Sequence, residues 1–313
     1  MNSLVNKITK QKTSLCLFFI SFAIAYYVNA NFIPNEDALI LYRYAENFSE
    51  TGIISYNLNS ERTEGATDFL WMIILSIFVS FKFDIFFSAI LINLLSLSIL
   101  SIFLVKEYKL NFYYAFLIYL FHLTLGFTWS SIFGFSVLTV ELILILFLIY
   151  FFKKKTFLSL LIGFIGCLMR PDFILFIFLV CLYDCIKKFS YQKFSTYFLF
   201  FILGILYFHW RYEYFGMLLP LPYYVKSQWE LFHNLSWYKE ITVLLPFNFF
   251  IIKYYKVIDL FSEKNILIII SLVIFPTLYY TNQVLYQNIG NRFYFYFIPV
   301  SLFLTFSIFS KHK

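Results

Sequence analysis

Two adjacent carboxylates, Glu36 and Asp37, open the stretch FIPNEDALILYRYAENF at residues 32–48, directly after an apolar run. A carboxylate in such a place can take a proton from a hydroxyl nucleophile. It can equally favour a helix start by meeting the positive end of the helix dipole. The surrounding residues allow both, since Asn35 after Pro34 is a favourable N-cap and EDALILYRYAENFSETG predicts a helix ending at Gly52. Further along, ISYNLNSERTEGATDFLW adds Glu61, Arg62, Glu64 and Asp68 around a glycine turn. LMRPD (Arg170 to Asp172), RYEYFGMLLPLPYYVK (Arg211 to Lys226) and NRFYF (from Arg292) extend this into a mixed set of acids, cations and phenols.

Other chemistries have less to stand on. Cys16, Cys167, Cys181 and Cys185 fall in apolar runs without CxxC spacing, and His122, His209, His233 and His312 form no HExxH pattern. Neither a structural metal nor a disulfide framework is expected.

The elements that must position these residues are membrane helices. Of the 313 residues, 61% are hydrophobic and only 13% charged, where a water-soluble domain carries roughly a quarter charged residues; mean hydropathy is +0.78. Apolar runs predict an all-α polytopic membrane protein with ten crossings, at 13–29, 85–105, 111–129, 135–152, 156–169, 172–186, 194–210, 238–252, 265–280 and 293–310. The first follows Lys7, Lys10 and Lys12 and ends near VNA; it reads as an uncleaved anchor. A single domain covers residues 1–313, with the polar segment 30–84 forming a helical first outer loop.

The run FLWMIILSIFVSFKF, 69–83, decides the topology. Counted as a crossing, it puts Lys153, Lys154, Lys155, Lys187 and Lys188 outside, against the positive-inside rule. Read as an interfacial or re-entrant helix, it restores the rule in every later loop. Lysines then gather inside, while all five arginines, Arg43, Arg62, Arg170, Arg211 and Arg292, lie outside. The net charge of +7 is thereby explained as cytoplasmic lysine, with no call for nucleic acid, and the outward arginines require another cause.

The segment from Glu36 to Trp71 resembles the first outer loop of bacterial GT-C glycosyltransferases of the arabinofuranosyltransferase- and mannosyltransferase-like group. Their pattern runs from an acidic pair (here Glu36-Asp37) through an Arg-Tyr helix (Arg43-Tyr44) to a Glu-Arg-x-Glu-Gly-x-Thr turn (Glu61, Arg62, Glu64, Gly65, Thr67) and a Trp. The later stretches at Arg170, Arg211 to Lys226 and Arg292 are similar to further motifs of the group, in the same order. At Ser136, two residues past Gly134, the group tends to carry a Glu. Glu141 is either an interior hydrogen-bonding residue or a substitute floor for the site.

The resemblance implies a GT-C-like bundle in the bacterial inner membrane, with its active site on the outer face. The implied reaction moves a sugar from a polyprenyl-phosphate donor to a glycan or glycolipid acceptor. A phosphate leaving group is already a stable anion, so one general base is needed and no strong acid. Glu36 or Asp37 is that base, and the choice stays open. Arg170, Arg211, Lys226 and Arg292 would meet charge growing on the donor phosphate, while Arg43, Tyr44, Glu61, Arg62 and Glu64 support the loop and the acceptor. No cofactor is required, although a divalent cation would be compatible. Two rivals remain: a polytopic transporter, disfavoured because Glu141 is the one clearly intramembrane acid, and a catalytically inactive relative acting in envelope glycan assembly.

Overall fold

The computed structural model describes residues 2–58, 60–65, 67–124, 126–187 and 190–226. The crossings predicted at 238–252, 265–280 and 293–310, and Arg292, lie outside them. Within the described residues the chain is helical with no strand: α1 (Asn2–Asn31), α2 (Glu36–Thr51), α3 (Phe69–Ser80), α4 (Ile85–Glu107), α5 (Tyr113–Leu123), α6 (Gly126–Ile132), α7 (Val137–Phe152), α8 (Thr156–Met169), α9 (Phe173–Lys187), α10 (Tyr191–Phe215) and α11 (Leu221–Lys226). Among the described residues, three helices are long and apolar enough to cross a membrane: α1 over Gln11–Asn31, α4 and α10. α5, α7, α8 and α9 are apolar but shorter than the roughly 17–25 residues of an ordinary span.

The crossing predicted at 111–129 is broken into α5 and α6. Hydroxyls take the carbonyls that the break releases: Thr124 Oγ1 donates to Phe121 O (2.7 Å) and Thr128 Oγ1 to His122 O (2.6 Å). No hydropathy pattern announces such a break, because a threonine hydroxyl costs little in an apolar average.

Polar knots hold the apolar helices in register. Ser21 of α1 reaches Ser98 of α4 (3.0 Å) and the Tyr119 hydroxyl of α5 (2.9 Å). Asn93 of α4 spends both ends of its amide on the start of α7. Its Nδ2 donates to Phe135 O (2.8 Å), and its Oδ1 accepts from the backbone N and Oγ1 of Thr139 (3.2 and 3.1 Å). α7 is apolar on nearly every side and packs between α4 and α8, as a helix with no polar stripe must. His122 and Glu141 meet in this interior with Nε2 and Oε1 3.0 Å apart, both wholly buried. Because His122 Nδ1 donates to Ile118 O (2.8 Å), one proton is shared between the other ring nitrogen and the carboxylate.

The contacts also fix the direction of each helix. α1 and α4 are antiparallel: Ser21 meets Leu94 O and Ser98, and Phe22 packs on Phe87. The chain therefore leaves α1 and enters α4 at the same end of the bundle. α3, whose 12 residues span about 18 Å at 1.5 Å per residue, adds no net traverse. At the opposite end Lys153 Nζ pairs with Glu107 Oε2 (2.6 Å), and Lys193 Nζ with Asp184 Oδ2 (2.6 Å). Lys154, Lys155 and Lys187 lie at that end too, whereas Arg43, Arg62, Arg170 and Arg211 all lie at the end carrying α2 and α3.

Candidate active site

The site is built around residues 61–68, an extended strap between α2 and α3. Asn35 caps α2 as the sequence predicts, with Oδ1 accepting from Asp37 N (3.1 Å), and Gly52 closes the helix in the left-handed conformation at φ 69°. Glu36 is exposed and Asp37 half-buried. At roughly 100° per residue, Asp37 shares its side of α2 with Leu41, Tyr44 and Phe48. Tyr44 ties that side to the strap: its hydroxyl meets Thr63 Oγ1 (3.2 Å) and accepts from Gly65 N (2.9 Å). A Cβ at residue 65 would sit 2.7 Å from the Tyr44 hydroxyl, which is why the turn requires glycine.

From the other side the strap is held by the α10–α11 elbow. Glu64 Oε2 accepts from Arg211 in an ion pair that excludes water almost completely, with side-chain exposures of 5% and 3%. Arg211 also donates from Nε to Leu218 O (2.8 Å) and from Nη1 to the Tyr207 hydroxyl (3.2 Å), and its guanidinium lies against the Tyr207 and Phe215 rings. Backbone contacts add Leu221 N to Glu64 O (3.1 Å), and the Tyr214 hydroxyl accepts from Ile54 N (3.0 Å). Arg62, exposed, stacks over Tyr214 at 4.6 Å. With all three nitrogens on protein partners, Arg211 holds the strap against the elbow.

The turn 133–136 closes the site from below. Asn35 N donates to Phe133 O (3.2 Å), and Trp71 Nε1, wholly buried, donates to Gly134 O (3.3 Å). Gly134 has φ 108°. Ser136 occupies the N-cap position of α7 but makes no cap bond; its hydroxyl goes to Asp68 Oδ2 (2.7 Å) while Thr67 Oγ1 donates to Oδ1 (3.0 Å). The α7 start is served instead by Asn93 and by Ser131 Oγ, which accepts from Leu138 N (3.0 Å). The carboxylate facing Ser136 is thus Asp68, and Glu141 belongs to the His122 pair. Sequence reasoning passed over the Asp68–Ser136 bond, for which the one sequence signal is a serine where the resemblance leads one to look for an acid.

Neither a family model, nor a curated protein, nor a solved structure matches this chain. The site is therefore read from its own geometry.

The predicted residues fall into three groups. Tyr44, Glu64 and Arg211 are brought together, with Arg62 and Glu61 on the exposed rim of the strap and Asp37 on the same side of α2. Arg170, at the end of α8, is chelated by Asp172 through Nε–Oδ1 (3.1 Å) and Nη2–Oδ2 (3.0 Å), both residues buried. Arg43 turns to the opposite side of α2, 3.9 Å from Glu46. There Leu39, Tyr42, Arg43, Glu46, Tyr56 and Asp84 line an open cleft of about 520 Å³, apart from the Glu64 cluster. Lys226 ends α11. Among the described residues no three His, Cys, Asp or Glu side chains gather to hold a metal ion.

Electrostatically the cluster is uneven. Burial pushes the Glu64 carboxyl above the ordinary carboxylate range; the Arg211 hydrogen bond and charge pull it back, and neighbouring Asp68 raises it again. Burial, with Asp84 nearby, likewise holds the Tyr42 phenol far above its ordinary value. A buried carboxylate more basic than usual, next to a guanidinium, can take a proton from a hydroxyl without losing its place.

Proposed function

We propose that the chain is a membrane glycosyltransferase that moves a sugar from a polyprenyl-phosphate donor to a glycan or glycolipid acceptor at the outer face of a bacterial inner membrane. The observation that carries this is the meeting, at one end of an apolar helical bundle, of the α2 start, the strap between α2 and α3 and the α10–α11 elbow, with Lys153, Lys154, Lys155, Lys187 and Lys193 at the other end. Transfer from a phosphate needs a carboxylate to receive the acceptor proton and cations to meet the departing phosphate. Glu36, Asp37 and Glu64 offer the first. Arg170, Lys226 and Arg292 are the cations proposed for the second, and Arg211 fixes the strap. The exposed aromatic and aliphatic faces of α10, among them Phe194, Phe198, Phe201 and Ile205, suit lipid or a prenyl chain.

Membranes bearing the protein should transfer label from at least one member of a panel of lipid-phosphate sugars to added glycan, and membranes lacking it should not. Absence of transfer across a full panel, with folded protein present, would rule the activity out.

The proposed orientation has its own check. Glu61 and Glu213 are exposed at the arginine end, and Lys154 and Tyr191 at the lysine end. In a background without the four cysteines, Glu61→Cys and Glu213→Cys should react with an impermeant thiol reagent in intact cells, and Lys154→Cys and Tyr191→Cys only after lysis. The reverse pattern would turn the site inward, away from envelope acceptors.

A further inference from the structure

We infer that Glu64 is the group that takes the acceptor's proton, and that Glu36 and Asp37 serve other roles; this rests on the transferase function proposed above. Its Oε2 is fixed by Arg211, while its Oε1 is buried and has no hydrogen-bond partner among the described residues. A buried carboxylate oxygen without a donor is destabilising, so this one favours a bound group that supplies the donor. A hydroxyl does so.

The other acids described at this end of the bundle are placed differently. Both oxygens of Asp68 accept hydroxyl hydrogen bonds. Asp84 Oδ1 caps α4 by accepting from Phe87 N (2.7 Å), Asp172 is chelated by Arg170, and Glu46 pairs with Arg43. Glu36 and Asp37 stand in the first turn of α2 and meet the positive end of its dipole. Glu61 and Glu213 are exposed. Among the acids described at this end, Glu64 combines a fixed orientation, an oxygen without a donor and burial that favours the protonated form. Its neighbours Glu61, Arg62 and Thr67 are exposed.

The step balances simply. The acceptor O–H gives its proton to Glu64 Oε1 as the acceptor oxygen bonds the anomeric carbon. The bond from that carbon to the phosphate oxygen breaks, its electron pair leaves on the phosphate, and Glu64 then loses the proton to water. Arg211, held by Leu218 and Tyr207, stays in place while Glu64 passes between charged and neutral forms.

Glu64→Gln keeps an oxygen for Arg211 but cannot accept a proton. Measured per folded protein, its turnover should fall by about 100-fold or more, with affinity for a polyprenyl-phosphate competitor unchanged and a smaller loss in Asp37→Asn and Glu36→Gln. The wild type supplies a second measurement that needs no variant: kcat/KM for the acceptor should rise with pH along an acid limb above the ordinary carboxylate range, because Glu64 must be ionised to act. A Glu64→Gln protein as active as wild type, or a wild-type acid limb at ordinary carboxylate pH, overturns the assignment alone. A wild type that transfers no sugar from any donor overturns the transferase function and this assignment with it.

Discussion

Replacing Arg211 by Leu should unfold the strap-and-elbow region and lower stability by about 3–5 kcal/mol, the usual loss when one member of a buried ion pair is removed. The loss comes less from the bond itself than from Glu64, left charged at 4% exposure with both oxygens unpaired. The double variant Arg211→Leu/Glu64→Leu should recover most of the deficit, since two apolar side chains in place of a buried pair are often neutral or better. Denaturant unfolding of detergent-solubilised protein, followed by Trp fluorescence, measures both. A single variant within about 1 kcal/mol of wild type, or a double as unstable as the single, would mean that the pair does not hold the strap. Catalysis should separate from stability here, because the double variant, although refolded, lacks the proton acceptor and should stay inactive.

Gly134→Ala should be the most damaging small substitution among the described residues. At φ 108° an alanine is strained, at a cost of roughly 1–3 kcal/mol. Its Cβ would also run into the Tyr42 hydroxyl and stand 3.0 Å from the Ala38 Cβ, both on the face of α2 that docks on this turn. Overpacking adds a similar amount. Tyr42→Phe in the same chain should return part of the loss by removing the colliding oxygen. Tyr42→Phe alone should be neutral or slightly stabilising, because that hydroxyl is buried with no hydrogen-bond partner among the described residues. Melting temperatures of the four proteins test this, and an unaffected Gly134→Ala would show that α2 does not depend on the turn.

What could be read from the sequence was what depends on neighbours in the chain. Asn35 and Gly52 bound α2 because capping is a matter of a few adjacent backbone groups. The lysine and arginine ends separated because an apolar helix can only place charge at its termini. The partnerships across the bundle were not legible. Glu64 and Arg211 are 147 residues apart, and no periodicity says which of several acids a given guanidinium will reach. Arg170 pairs with Asp172, two residues on, a contact between near neighbours in the chain. The break between α5 and α6 was hidden because Thr124 and Thr128 repair it with their own side chains.

The antiparallel pairing of α1 with α4 gives segment 32–84 an even parity: it departs from and returns to the same side of the bundle. Lengthening, trimming or exchanging that excursion would leave the direction of every later helix as it is, so long as its two anchor points beside Asn31 and Asp84 stay fixed. Segment 32–84 is in effect an insert on a scaffold that keeps its polarity without it. A membrane protein organised in this way can change what it recognises through one excursion without renegotiating how the rest of its chain threads the bilayer.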